Sequence, residues 1–391
     1  VNGVIVGQFL LGVVGLIFGA RFLVQGAARL AVTVGVSPLV IGLTVVAFGT
    51  GAPELAVTLR AAWSGDPSMA DLGVGNVVGS NIANVLVVLG LSALVTPLVV
   101  RSRLVGWDVP VMIVASVALL VLGHDGRLSR VDGAILFAGI LLYTIASIYH
   151  GRRVTARERA ALAELDEVPE RPATGPGQIA LQFFFIVFGL SILVVGADLL
   201  VQAATAIAKS LGVSELVIGL TVVAIGTSLP EMATSIIAGL KGEREMALGN
   251  AVGSNIFNIF AVLGAAGLAA PEGVPVSRAA LNFDIPVMIA VALTCLPVVY
   301  TGARIARREG LLFLGYYVAY LAYLYLKQGE HSLLEEFSTV MLLFVLPLTV
   351  LALGVSVVSA VRSGRTTHAI RSSNLGDRSG SSQDNRGTDG G

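Results

Sequence analysis

The sequence predicts an all-α integral membrane protein made of two inverted five-helix repeats, ten core transmembrane helices in all, plus an eleventh C-terminal transmembrane helix. Three observations carry that expectation. The chain has 391 residues, of which 55% are hydrophobic and 13% charged, and its mean hydropathy is +0.85; a soluble domain carries about twice that share of charge. Eleven apolar stretches approach the roughly 20 residues a spanning helix needs. The sequence also matches itself at an offset of 177 residues, Ser37 onto Ser214.

In order, the stretches are 4–31, 37–62, 70–95, 109–123, 131–149, 178–208, 214–239, 246–269, 285–301, 310–326 and 338–361. The first is expected to be a retained helix, being too long for a leader, without a basic start and carrying Arg21 and Arg29 late. The second and seventh hold the strongest match, SPLVIGLTVVAFGTGAPELA against SELVIGLTVVAIGTSLPEMA, and the third and eighth hold GNVVGSNIAN against GNAVGSNIFN at an offset of 174. The fourth and ninth start near Asp108 and Asp284, each two residues before a proline, so both carboxylates are expected to cap free backbone donors. Arg21 and Asp198 occupy matching positions of the first and sixth stretches and are a candidate ion pair between the repeats. The aromatic run around Tyr320 in the tenth is expected to face lipid or to pack between helices. The eleventh stretch lies outside the repeat.

These matches organise the chain as 1–150, the first repeat; 151–177, a cytoplasmic loop with a candidate short surface helix, TARERAALAELDEV; 178–327, the second repeat; 328–361, the extra transmembrane helix; and 362–391, a cytoplasmic tail of disordered composition. An odd number of helices per repeat forces the second copy upside down, and such inverted repeats build secondary transporters with a site near the midplane. Lys and Arg in alternate loops set the orientation. With the N-terminus outside, inner loops hold Arg101, Arg103, Arg152, Arg153, Arg157, Arg159, Arg171, Lys241, Arg244, Arg304, Arg307 and Arg308, against Arg127, Arg130, Lys209, Arg278 and Lys327 outside. A multi-pass protein of the cell (inner) membrane is the expectation.

Several classes fall away. Lys plus Arg and Asp plus Glu balance at 25 each, which leaves no basic surface for nucleic acid. The single cysteine, Cys295, allows neither a disulfide framework nor a Cys-based metal site. His124, His150, His331 and His368 all lie away from the middle of the stretches, which argues against a histidine proton relay. No hydrolase constellation occurs in the spans, so an enzyme is not expected.

Ionisable residues deep in a span are functional candidates by default, and Glu54 and Glu231 stand out. Each follows a proline, Pro53 or Pro230, in a stretch containing Gly49 and Gly51 or Gly226. Proline removes a donor and clashes with the preceding turn at about 3 kcal/mol, so both helices should break there. A break at membrane depth is tolerated where it lines a cavity or is buried in protein. Its carbonyls, with the carboxylates, are hard oxygen ligands suited to Na+ and Ca2+. Two bidentate carboxylates and carbonyls near Thr50 and Thr227 approach the about six to eight oxygens Ca2+ prefers. Kinked helices with snorkelling glutamates are the alternative, and the inverted duplication weighs against it. Ser80 with Asn84, and Ser254 with Asn258, fall on one helical face, where they either complete a cation site or glue helices together. Asn76, Asn81, Asn250 and Asn255 point elsewhere on those helices and read as packing.

GTGAPE followed by GNVVGSNIAN, then GTSLPE followed by GNAVGSNIFN, resembles the two α-repeats of the calcium/cation antiporter superfamily, and within it a prokaryotic sodium/calcium exchanger. The resemblance implies exchange of Na+ for Ca2+ by alternating access, expelling Ca2+ while the first and sixth helices slide against the other eight. It implies Glu54 and Glu231 as carboxylate ligands, with Thr50 and Thr227 beside them as the metal-holding core. The hydroxyls of Ser228, Ser80 and Ser254, the amides of Asn84 and Asn258, and the carbonyls of Ala47 and Ala224 would complete the ion sites. No resident cofactor is implied: Ca2+ and Na+ are cargo, the lipid bilayer is the other partner, and the oligomeric state stays open, a monomer being compatible. Studied exchangers often have Asp where this chain has Asn258 and Ser where it has Gly51. Asn also occurs there in relatives that exchange calcium for protons, so a Ca2+/H+ antiporter is the alternative. A cation channel is more remote, because inverted repeats with broken helices build a gated central site.

Overall fold

The computed structural model describes residues 3–63, 67–99, 104–163, 176–212, 224–300, 304–328 and 334. The expected eleventh span and the tail lie outside the described residues, as does 213–223. The rest is all-α. The helices are α1 (Gly3–Val34), α2 (Pro38–Thr50), α3 (Ala52–Trp63), α4 (67–95), α5 (104–122), α6 (Arg130–Ala163), α7 (Pro176–Ser210), α8 (Ala224–Gly226), α9 (Leu229–Leu240), α10 (Arg244–Ala269), α11 (280–300) and α12 (Arg307–Gln328).

Two short ribbons accompany them, built from β1 (Leu98–Val99), β2 (Arg127–Leu128), β3 (Val274–Pro275) and β4 (Arg304–Ile305). β1 pairs antiparallel with β4, and β2 with β3. Shifting by one repeat carries β1 onto β3 and β2 onto β4, so the two ribbons exchange places, as an inverted duplication requires. Each ribbon ties a connection of one repeat to a connection of the other.

α1 and α7 form an outer antiparallel pair. Only 22% of the apolar window of α1 and 28% of that of α7 is buried, against 83% for Gly73–Val95 and for Arg244–Ala269. α4 and α10 are therefore the centre of the bundle. The α1–α7 seam is lined by glycine: a Cβ at Gly12 would meet the Leu200 nitrogen at 2.8 Å, and one at Gly19 the Leu193 nitrogen at 2.7 Å. Small residues let membrane helices approach backbone to backbone where no hydrophobic effect drives them together. The same device seats α10 on α2, where Gly249 lies under the Leu39 carbonyl and Gly253 under Leu43.

The antiparallel seam removes the expected Arg21–Asp198 ion pair. Gly12 lies against Gly196 and Gly19 against Gly189, which sets Arg21 level with Val187 and Asp198 level with Leu10, roughly 16 Å apart along the axis. Residues equivalent in an inverted pair meet only where the symmetry axis crosses them, here near Gly15. Asp198 instead accepts from Gln202 at 2.8 Å, and Arg21 lies over the Phe18 ring at 6.0 Å.

The expected capping by Asp108 and Asp284 is also corrected. α5 and α11 begin earlier than the sequence suggests, each with a π turn, Leu104–Asp108 and Ala280–Asp284, so neither aspartate stands at a free helix end. Asp108 makes no cap hydrogen bond. Each takes a tyrosine hydroxyl from the next helix: Tyr143 donates to Asp108 and Tyr320 to Asp284, both at 3.1 Å. Tyr320 therefore belongs to interhelical packing, and Phe283 stacks on Tyr323 beside it at 4.0 Å. The candidate surface helix after His150 begins inside α6, which runs on without a break to Ala163.

Candidate functional site

The site forms where two broken helices meet the two central ones. α2 and α3 join at Gly51 with a bend of 47°. The Gly51 N–H donates to the Ala47 carbonyl at 3.0 Å, and Pro53 has no N–H to offer the Gly49 carbonyl. Glu54 follows in the first turn of α3. The second copy repeats the arrangement: α8 ends at Gly226, a turn through Thr227 and Ser228 follows, and Glu231 sits in the first turn of α9. First turns favour anions because free N–H groups and the helix dipole point there.

α4 and α10 carry the candidate neutral residues, Ser80 with Asn84 and Ser254 with Asn258. Each loosens into a π turn beginning at Asn84 and at Asn258, and such turns, which shift the following side chains around the axis, recur at functional sites. Ser80 donates to Glu54 Oε1 at 3.3 Å and shares a second 3.3 Å hydrogen bond with the Thr227 hydroxyl, joining the two repeats. Thr50 donates to Asn250 Oδ1 at 3.2 Å, while Asn250 Nδ2 donates to the Glu231 carbonyl at 3.1 Å and to Ser235 at 3.0 Å. Glu54, Glu231, Thr50, Ser80, Asn84, Ser228, Ser254 and Asn258 are all buried.

What distinguishes this chamber is the surplus of acceptors. Among the described residues, Glu54 Oε2, both Glu231 carboxylate oxygens, the Ser228 and Ser254 hydroxyls and the Asn84 and Asn258 amide oxygens have no hydrogen-bond partner. Buried polar groups are normally paired, and an orphaned one points to a missing ligand or to strain. Among the described residues no Lys or Arg pairs with either carboxylate. Two uncompensated buried carboxylates cost several kcal/mol each.

The chain matches the family described as "Sodium/calcium exchanger protein" over residues 4–149 and 181–326. It belongs to the sodium/calcium exchanger family. The sodium/calcium exchanger MaX1 of Methanosarcina acetivorans is 34% identical over 347 residues, covering 81% of this chain and 97% of MaX1. The inner membrane protein YrbG of Escherichia coli is 36% identical over 318 residues, covering 81% of this chain and 95% of YrbG. A solved structure of the sodium-calcium exchanger NCX_Mj, soaked with zero Na+ and Ca2+, superposes with a TM-score of 0.68 at 32% identity and covers 82% of this chain and 98% of that one.

In this exchanger the hydrogen bonds fall into three groups: Glu54 with Ser80 and Thr227, Thr50 with Asn250 and the Glu231 carbonyl, and Asn84 and Asn258 with Asn255 and Asn81. The Ser228 and Ser254 hydroxyls and both Glu231 carboxylate oxygens are buried without a hydrogen-bond partner among the described residues. The Ala47 carbonyl accepts from the Gly51 N–H. Ala224 lies at the start of α8, next to a segment outside the described residues. The sequence assigns Asn81, Asn250 and Asn255 to packing, and the structure gives them more to do. Asn255 Oδ1 accepts from Asn84 Nδ2 and Asn81 Oδ1 from Asn258 Nδ2, both at 3.1 Å. With their nitrogens held, Asn84 and Asn258 leave their amide oxygens unpaired among the described residues. The available signal was the duplication of Asn81 as Asn255 in the GSNI match.

Proposed function

We propose that this exchanger expels Ca2+ using the inward Na+ gradient, the two cations competing for one set of oxygens centred on Glu54 and Glu231. The observation that carries the reading is the set of seven buried oxygens with no donor among the described residues, three of them carboxylate oxygens. Hard oxygen ligands of this number and type suit Ca2+ and Na+. Thr50, Thr227, Ser80, Ser254 and Ser228, the Asn84 and Asn258 amides, and the Ala47 and Ala224 carbonyls complete the cage around whichever ion is bound. MaX1 and NCX_Mj are both named as sodium/calcium exchangers.

Alternating access follows from the packing. The α1–α7 pair is peripheral, is joined by glycine-lined backbone contact and touches the broken helices beside the site. Of the long helices it is among those with the smallest buried share, which makes it the candidate moving element. Excess Lys and Arg in one set of loops supports a cytoplasmic position for those loops and the C-terminal tail, in a cell (inner) membrane with the N-terminus outside. YrbG is described as an inner membrane protein.

The test is 45Ca2+ uptake into proteoliposomes. Uptake should require internal Na+ and should collapse when external Na+ is added. Uptake that ignores Na+ and follows an imposed proton gradient would overturn the assignment of the coupling ion.

A further inference from the structure

The two halves of the cage differ most at position 51. The offset of 177 sets Gly51 against Ser228, and the offset of 174 sets Phe257 against Ala83. These two differences are one change of shape. A Cβ built on Gly51 would lie 2.7 Å from Cδ1 and 2.9 Å from Cε1 of the Phe257 ring, closer than real side-chain contacts. The ring has little freedom to yield: it is 3% exposed and packs edge-on against Phe48, centroids 4.9 Å apart and planes at 62°. In the other half, position 228 carries a buried hydroxyl with no partner, and the ring's counterpart Ala83 ends at its methyl group. Where one half offers oxygen and room, the other offers an aromatic edge and no oxygen.

We propose that Gly51 and Phe257 form a ring plug that removes one monovalent-cation position from the cage. The plug sets how many Na+ ions displace one Ca2+. A Ca2+ ion draws on Glu54 and Glu231, which the plug does not touch. A Na+ ion beyond the charge those two carboxylates balance has only neutral oxygens to replace its water, and an unmet share of that hydration is costly. With no hydroxyl at 51 and an apolar ring in its place, that ion lacks ligands on the first repeat's side. The inference rests on the exchanger reading above and is tested by binding instead of flux.

The measurement is the unfolding midpoint of the purified full-length protein in detergent as a function of Na+, with a parallel Ca2+ series. Ligand that binds the folded state raises stability with a slope in log concentration set by the number of ions bound. The paired variant Gly51→Ser/Phe257→Ala should steepen the Na+ slope by about one ion relative to wild type. It should leave the Ca2+ series near wild type. Gly51→Ser alone should not steepen it, because the ring still occupies the space. Ser228→Gly, which needs no new room, should flatten it by about one ion, and it decides the matter if the paired variant fails to fold. An unchanged slope in both the paired variant and Ser228→Gly would overturn the plug. So would a steeper slope in Gly51→Ser alone. Absence of any Na+ stabilisation in the wild type would instead overturn the reading of the cage as a Na+ site.

Discussion

Asn81 and Asn255 clasp one another across the pseudo-two-fold axis. Asn81 Nδ2 donates to the Asn255 carbonyl at 3.3 Å, and Asn255 Nδ2 donates to the Asn81 carbonyl at 3.1 Å. The same two side chains take the Asn84 and Asn258 nitrogens on their amide oxygens. One reciprocal clasp therefore ties the central helices together and holds the nitrogens of the two amides whose oxygens are proposed to bind the cation. Residues that orient ligands in this way are worth about 10- to 100-fold in metal affinity. Asn255→Ala should weaken Ca2+ binding by roughly that factor while Glu54 and Glu231 remain, as read by Ca2+-dependent stabilisation in detergent. Wild-type affinity in that variant would show that Asn84 holds its orientation without help.

Glu54→Gln and Glu231→Gln keep shape and remove charge from the cage. Breaking a buried charge interaction costs about 2–5 kcal/mol, so each should lower Ca2+ affinity by roughly 30-fold or more and abolish Na+-driven uptake. The folded fraction, checked by size-exclusion chromatography, should hold or improve, because a buried uncompensated carboxylate has been removed. Protons compete for the same oxygens, so wild-type uptake should fall as the medium is acidified. Retained uptake in both variants would refute the site.

The α1–α7 seam predicts a separation of binding from transport. A Cβ at Gly189 would lie 2.5 Å from the Leu23 nitrogen and 2.7 Å from the Gly19 carbonyl, so Gly189→Ala must spread two backbones. Overpacking of this kind costs about 1–3 kcal/mol and changes the spacing of the two helices proposed to move as a pair. Flux should drop severalfold or more, whereas Ca2+ stabilisation, read at the distant cage, should stay near wild type.

The Asp108–Tyr143 contact predicts a stability effect without a ligand role. Tyr143→Phe removes the hydroxyl that Asp108 accepts at 3.1 Å in a buried setting, a loss of about 1–3 kcal/mol. The unfolding midpoint should fall, and the Ca2+ concentration needed for half-maximal stabilisation should not move.

One pH effect belongs to the connection between α9 and α10, away from the cage. Glu243 titrates above its ordinary value of 4.5, raised by partial burial and then by the neighbouring Glu245, with Lys241 opposing. A raised carboxyl contributes stability that is fully present below the ordinary value and is lost as pH rises through the folded one. Stability in detergent should therefore decline slightly across the region just above pH 4.5, and Glu243→Gln should remove that decline. A pH profile identical to wild type in the variant would assign the effect elsewhere.

The sequence by itself determined the all-α membrane class and the inverted duplication, because spans need long apolar runs and an odd repeat must invert. It also singled out Glu54 and Glu231, since a carboxylate in an apolar stretch is too costly to keep there without a partner, and the proline beside it opens the backbone that supplies one. The breaks at Gly51 and after Gly226 were legible for the same reason: proline acts on its own helix. Contacts between helices were not legible, because offset in sequence does not say where two antiparallel helices cross. Arg21 and Asp198 match in the repeat and lie far apart in the bundle, while Asp108 and Asp284 turn from helix ends to tyrosine hydroxyls one helix away. Only the tertiary structure showed that Asn81 and Asn255 fix the amides of Asn84 and Asn258. Only there does the Phe257 ring fill the space above Gly51, a fit set by two helices that meet more than 200 residues apart in the chain.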